Sequence, residues 1–595
     1  MASQASRFDL PGFRLPLNFT LRRGYDSPKL FPNALDYNDL DGGAVGRSNT
    51  HRDLLMMQAV HSITEKPEWD RKAFDDEITS KWRDELLNCG KDITPKMVDW
   101  IVKELQWKAG IFRETGYTVA FDPGVVKADN TIPFEMQKEL KNAVRPLEDV
   151  AEEEKDYHPG SDQKVVDLVH PSLFPVIYGR TRILPDHVIR LDDCLSAVGQ
   201  GQLLPVPPKE QARLPSAFYD RSGYHRGHEG YSRKFQWLPC DIELTSDDGC
   251  RIASYINNLH PQKHRGLYQV IEKILARTIP LWNATLNCVE SDYKRIAYRD
   301  VEFEEHPEPE PRPTNEEEKN SDVFWDRHWE WEISTPIKKP EPGEFKPPEI
   351  RPYSKVNLRE QFSKTGLQVI VKLANIELTP EKPEYEGGSW HVEGQLNEHI
   401  CATALYYYDS ENITESTLSF RQRACEEDMN EVMYPQDQHA FLHHIFGFPP
   451  DVDSRNGTVI TQDLGSVSTH EGRLLTFPNI LQHRVSPFSL ADKSKPGHRK
   501  ILAFFLVDPN LRIISSANVL PQREDWWTER RVALEESLTV LPPELRNMVH
   551  GEMDVAPITM DEAKQYRLEL MEERRAAAVE HNSDFENGNF NLCEH

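Results

Sequence analysis

The apolar positions of this chain change their period more than once, and each change predicts a change of structure. From Thr50 to Thr115 they fall mostly three and four apart, as in Leu54, Leu55, Met57 and Val60 and again in Met97, Trp100, Ile101 and Leu105, the spacing of helices with one buried face. Asp92-Ile93-Thr94-Pro95 offers a capping residue followed by proline and predicts a helix start. An acidic helix is expected over residues 133–155, and Cys250 to Leu286 reads as a long helix or helix pair. Between them, Val165 to Arg190 mixes short β-like runs with proline, which fits an edge strand or a wall of the later sheet. From Val356 the pattern turns to strands. Leu367–Leu378 and Ile400–Tyr408 are apolar on both faces, as core strands are. Phe420 to Asp453 returns to helical spacing, Ile513 to Trp527 is expected at the edge of the sheet, and Glu529–His550 and Met560–His581 read as polar helices before a tail.

These shifts divide the chain into an irregular arm rich in Pro, Gly, Asn and Asp (1–50), a mainly helical scaffold (51–300), an acidic Pro-rich loop or linker (301–352), a β-rich core (353–527) and C-terminal helices with a tail (528–595). The linker carries Pro307, Pro309, Pro311 and Pro313 among glutamates, and Trp325, Trp329 and Trp331 suggest that the chain docks again by about residue 323. At 595 residues more than one structural unit is expected, with the helical half wrapped round the β-rich core as a shell.

Charge narrows the partners. Seventy basic and 97 acidic residues leave a net charge of −27, which argues against general affinity for nucleic acid or anionic membranes. No stretch of 18 apolar residues occurs, so no membrane span is expected, and the first 27 residues lack the apolar run of a secretory signal. Eight scattered cysteines with no Cys-x-x-Cys pair read as free thiols of a cytoplasmic or nuclear protein.

The chemistry concentrates in Tyr385-Glu386-Gly387-Gly388-Ser389-Trp390-His391-Val392-Glu393-Gly394. On an extended chain alternate side chains share a face, so His391 and Glu393 look the same way from one strand end. His483 follows on a later strand-like stretch, and two histidines with one carboxylate make the facial triad of non-heme iron oxygenases. Arg499 then begins an apolar strand, and its guanidinium suits a bidentate grip on a carboxylate. Other clusters read differently. Tyr219 to Trp237, with Tyr224, His225, Arg226, His228, Tyr231 and Arg233, reads as an aromatic loop packed over the core, with substrate contact as the alternative. His439 and His443 stand one turn apart without a nearby acid or cysteine, so that segment reads as a lid or specificity insert rather than a metal site.

The turn, His-x-Glu, core strand, distal His and following Arg resemble the Fe(II)/2-oxoglutarate-dependent dioxygenases, and the wider text is similar to a fungal protein family of unknown function. The resemblance implies an α+β fold whose core is a double-stranded β-helix (jelly-roll, cupin-like) with extensive N-terminal and C-terminal helical elaboration. It implies Fe(II) held by His391, Glu393 and His483, 2-oxoglutarate held by Arg499, and Tyr406 or Tyr408 lining the 2-oxoglutarate pocket. The activity implied is hydroxylation of an unidentified small molecule or protein with release of succinate and CO2. Glu stands where Asp is commoner, and the interval from His483 to Arg499 is long, which points to an inserted loop over Ser489–His498. Two other readings remain. A Jumonji-like protein hydroxylase or demethylase would carry a Lys on the strand after the motif, but Ile400 to Asp409 contains none. A catalytically inactive metal-binding barrel acting as a scaffold would make no succinate.

Overall fold

Strand alternation and helical amphipathicity build this chain around one large sheet with dissimilar faces. The computed structural model describes residues 8–21, 29–41, 44–214, 229–289, 291, 293–348, 355–452, 458–527, 542, 557–588, 590 and 592. Its helices are α1 (His51–Thr64), α2 (Asp76–Leu87), α3 (Pro95–Thr115), α4 (Phe134–Glu148), α5 (Arg265–Val289), α6 (Asp322–Ile333), α7 (Ala440–His444) and α8 (Met560–Glu586), besides shorter turns. The strands needed here are β1 (Thr118–Phe121), β2 (Val125–Ala128), β3 (Val165–Val169), β4 (Cys240–Leu244), β5 (Cys250–Ile252), β6 (Leu367–Leu378), β7 (Glu384–Tyr385), β8 (Ile400–Glu411), β9 (Thr417–Arg423), β10 (Thr461–Ser468), β11 (Leu474–Pro478), β12 (Gln482–Val485), β13 (Phe488–Ser489) and β14 (Gly497–Val507).

The large antiparallel sheet runs β5-β4-β6-β14-β8-β11-β2-β1, with β3 pairing the C-terminal half of β6. A three-stranded antiparallel sheet, β10-β9-β12, forms separately, as does the short pair β7-β13. The molecule is therefore a mixed α and β fold with antiparallel sheets, and among the described residues they do not close into a barrel.

Period-2 alternation assigns the two faces of the large sheet. Val369, Val371 and Leu373 of β6, Ala402, Ala404, Tyr406 and Tyr408 of β8, and Leu502, Phe504 and Leu506 of β14 pack against Leu140 and Val144 of α4 and the apolar stripe of α5. Ile370, Tyr407, Ala503 and Phe505 face the other way and share a core with Leu418 and Phe420 of β9, Leu464 and Val467 of β10, and Phe477. A third cluster holds α1 and α3 together through Met56, Val60, Ile63, Trp100, Ile101 and Leu105. Thr94 caps α3 as its spacing predicts, with Pro95 as the first helical residue.

Several elements depart from the sequence pattern. Cys250–Ile252 is a strand paired with β4, and α5 begins only at Arg265, because the Thr245–Gly249 turn folds the chain back into a hairpin. Phe420 lies in β9, its neighbours exchanging hydrogen bonds with β10 and β12, so helix is confined to Glu426–Asn430 and α7. The helix of the tryptophans forms, but Trp325 and Trp329 stay 55% and 52% exposed and only Phe324 is buried. Ile513–Trp527 contributes no strand; it is irregular up to Arg523, with Ile513, Ile514 and Val519 filling the core, and helical over its last four residues. Within the N-terminal arm, Leu10, Phe13 and Leu17 join the main core. The expected helix Glu529–His550, Pro542 apart, and the residues Tyr224 to His228 lie outside the described residues.

No described helix is long and apolar enough to cross a membrane. Seven of the cysteines are described, and all are free.

Candidate metal centre

Gly387 sets the entry to the site. Its φ of +89° belongs to glycine, and a Cβ there would stand 2.8 Å from the Val485 carbonyl oxygen. The turn lets the Gly388 N–H donate to Val485 O at 2.9 Å and lays residues 389–393 beside β12. The main chains of His391 and His483 then form an antiparallel bridge. Val392 points into the core, which turns His391 and Glu393 together to the other side. Asn479 holds the far end of this segment: its Oδ1 accepts from Glu393 N at 2.9 Å and its Nδ2 donates to Glu393 O at 3.0 Å. The side chain thereby replaces a strand partner.

His391, Glu393 and His483 present ligand atoms that all lie within 4.8 Å of one another. His483 Nε2 stands 3.3 Å from Glu393 Oε1, and His391 Nε2 4.0 Å from the same oxygen. Ligands about 2.1 Å from one metal ion and at right angles are roughly 3 Å apart, so the set needs only a slight contraction to close on an ion. His391 Nδ1 donates to the Ser389 carbonyl at 2.8 Å. That fixes the tautomer and leaves the Nε2 lone pair facing the Glu393 carboxylate, two acceptors turned toward one point as a cation would require. His483 is held by packing instead, its ring 4.6 Å from that of Phe477 and 6.3 Å from that of Phe420, and its Nδ1 is buried without a hydrogen-bond partner. Burial and the neighbouring His483 pull His391 down to about 4. Burial pushes the Glu393 carboxyl up, while its neighbours His483, His391 and Lys372 pull it down to about 2. Both groups are thus in the protonation state that ligates.

Arg499 lies on the same inner face. It is 2% exposed, donates from Nη1 to Ser416 Oγ at 2.9 Å and to Thr469 Oγ1 at 3.4 Å, and meets no carboxylate among the described residues. Its guanidinium lies 5.4 Å from the Tyr407 ring and 5.1 Å from that of Phe488, its Nε has no partner, and burial pulls it below its ordinary pKa. A buried guanidinium without an anion is costly to maintain and is a ready receptor for a carboxylate.

A profile described as "Protein of unknown function (DUF4246)" matches residues 95–530, and one described as "Domain of unknown function DUF4246, N-terminal" matches residues 10–85. The chain belongs to the DUF4246 family. No curated protein matches it. Among solved structures, the DUF4246 chain is similar to an Fe(II)/α-ketoglutarate-dependent dioxygenase, TqaL, at 17% identity over 26% of this chain and 45% of that one, with a TM-score of 0.15. It is also similar to IDO from Bacillus thuringiensis, at 10% identity over 67% of this chain and 97% of that one, with a TM-score of 0.21. The chain thus spans less than half of the first of these, and both likenesses are too slight to carry an argument.

The structure of this DUF4246 protein brings His391, Glu393, His483 and Arg499 to one side of the sheet, but it sends Tyr406 and Tyr408 to the other. Both pack toward α4 and α5, where Tyr408 OH reaches Asn375 Oδ1 at 3.5 Å. Tyr407 is the inward residue, a consequence of strand alternation among three consecutive tyrosines. Arg499 is the third residue of β14 rather than its first, because the strand already begins at Gly497, inside the Ser489–His498 stretch expected as a loop, and only the residues between Ser489 and Gly497 form the β13–β14 connection. His443 Nδ1 donates to the Phe448 carbonyl at 2.7 Å and joins no metal-capable group among the described residues. Asn479 escapes sequence reading, because its role depends on where the Glu393 main chain lies, 86 residues away in the chain.

A second group, His158, Asp167 and His170, also gathers. Here the tautomers oppose a metal. Ser172 N–H donates to His170 Nδ1 at 3.2 Å, which leaves the proton on Nε2, and His158 Nδ1 lies 2.8 Å from Asp167 Oδ2 as in a hydrogen-bonded pair.

On the outer side of the centre a cavity of about 350 Å³ opens beside His391, Val392 and Gly394, walled by Tyr231 and by Arg574 and Asn582 of α8. Asn582 also donates to the Trp390 carbonyl at 2.9 Å, so α8 is tied to the metal-binding segment itself.

Proposed function

We propose that this protein is an Fe(II)- and 2-oxoglutarate-dependent oxygenase. The observation that carries the reading is the His391, Glu393 and His483 set, in which the Ser389 carbonyl fixes His391 with its Nε2 lone pair toward the shared point. Two imidazoles and one carboxylate would leave half of an octahedral sphere open for a chelating co-substrate and oxygen. Arg499 supports the second half of the name, as an uncompensated cation on the inner face, flanked by Ser416, Thr469 and Tyr407, where a distal carboxylate would be received. The order β6-β14-β8-β11 opposite a smaller β10-β9-β12 sheet, extended by the His391 bridge, supports an open double-stranded β-helix as the core.

When bound, Fe(II) and 2-oxoglutarate would let O2 oxidise a substrate C–H bond, one oxygen atom going to the substrate and the other to succinate as 2-oxoglutarate loses CO2. The chain orients. His391 and Glu393 are set by the turn at Gly387 and by Asn479, His483 by the aromatic wall, and Arg499 fixes the far end of the co-substrate so that its other end meets the three ligands. The inner face between them, lined by Phe477, Phe420 and Tyr407, excludes water. The cavity against α8 gives the substrate its approach on the open side of His391.

The test is anaerobic addition of Fe(II) and then 2-oxoglutarate to the full-length protein, followed by oxygen. A visible charge-transfer band and slow succinate release are expected. Bound iron with no band and no succinate would replace this reading with that of a metal-binding scaffold.

A further inference from the structure

Arg499 is not the sole cation on the inner face. Lys372 pairs with Ala503 across β6 and β14, and period-2 alternation puts it on the same side as Ile370, which belongs to the core shared with Val392 and Phe477. It is half-buried and makes no hydrogen bond or ion pair among the described residues. β3, which carries Asp167, pairs with β6 directly after Lys372, at Leu373–Ile376, and the ammonium acts electrostatically on Asp167 and His170 as well as on His391 and Glu393. Neither carboxylate closes on it. Asp167 is hydrogen-bonded to His158 and near Arg567, and Glu393 is turned to the histidines.

The register separates the two cations. Arg499 pairs with Ile376 of β6, four residues beyond Lys372, which is roughly 13 Å along the main chain. Arg499 accounts for one co-substrate carboxylate. Lys372, with no carboxylate on it among the described residues, is left for another anion.

Resting on the reading of the site as a 2-oxoglutarate oxygenase, we propose that Lys372 anchors the primary substrate and that this substrate carries a carboxylate, held by the lysine while a neighbouring C–H is presented to the metal centre.

The experiment uses full-length protein with Fe(II) and 2-oxoglutarate under anaerobic conditions. Matched acids and amides, hexanoate with hexanamide and benzoate with benzamide, are titrated while the charge-transfer band is followed. The acids are expected to perturb the band at concentrations at least about tenfold lower than their amides, one charge-assisted contact's worth of affinity. K372M should erase that preference and K372R should restore most of it. Acids and amides acting alike, or neither perturbing the band, would overturn the proposal. So would a K372M protein that fails to form the band while K372R forms it, since the lysine would then serve the co-substrate. Absence of the band from the unmodified protein is a different failure, that of the oxygenase reading itself.

Discussion

The main chains of His391 and His483 exchange two hydrogen bonds, His391 N–H to His483 O at 3.2 Å and His483 N–H to His391 O at 3.0 Å, and their rings stand 4.3 Å apart. Backbone pairing, rather than side-chain choice alone, therefore sets the distance between the two candidate ligands. A metal site built this way is preorganised. E393A and H483A are each expected to lower Fe(II) affinity by more than the about 10–100-fold typical of losing an outer partner, as measured by equilibrium dialysis. Affinity unchanged in either variant would mean that the ion binds elsewhere.

The Ser416 and Thr469 hydroxyls orient Arg499 but do not neutralise it. R499A should raise the 2-oxoglutarate concentration needed for half-maximal succinate release by about 10–100-fold, the equivalent of a charge-assisted bond, and leave Fe(II) affinity within about threefold. Equal losses of metal and 2-oxoglutarate binding would remove the arginine from its anchor role.

Among the three tyrosines of β8, Tyr406 OH is buried with no hydrogen-bond partner. Y406F should be neutral or stabilising by up to about 1 kcal/mol in urea unfolding, since it deletes a hydroxyl that gains nothing from burial. Y407A should weaken 2-oxoglutarate binding. The reverse pattern would place Tyr406 in the pocket.

Arg295 is buried against Glu104, Asp53 and Asp122 and ties the segment after α5 to α1 and α3. R295M leaves Asp53 and Asp122 without the guanidinium and Glu104 with Lys108 alone, and should cost about 3–5 kcal/mol of stability by urea unfolding. A loss below about 1 kcal/mol would show that the cluster is solvated.

Asp508, at the end of β14, accepts hydrogen bonds from Phe31 N at 2.6 Å and Asn510 N at 2.9 Å, yet burial pushes its pKa up to about 6. The unfolded value is about 3.9, so between the two the folded chain binds a proton that the unfolded chain does not. The contribution of this carboxyl to stability is full below about 4 and is lost as pH rises through 6, a change of up to about 3 kcal/mol. Stability of D508N relative to the unmodified protein should accordingly rise between pH 4 and 7.5. A difference independent of pH in urea midpoints would show that Asp508 is ionised throughout.

By itself the sequence determined the candidate site residues and the long elements that carry them. A His-x-Glu after a double-glycine turn, two unbroken apolar runs and a capped helix at Thr94 are local patterns whose physics lies in the backbone of a few residues. Only the tertiary structure decided which tyrosine faces inward, that Asn479 stands in for a strand partner, that Phe420 belongs to a sheet, and that Lys372 and Arg499 share one face. Those outcomes depend on register between strands far apart in the chain. A shift of one residue exchanges the two faces of a strand, and no local pattern records which register the packed core selects.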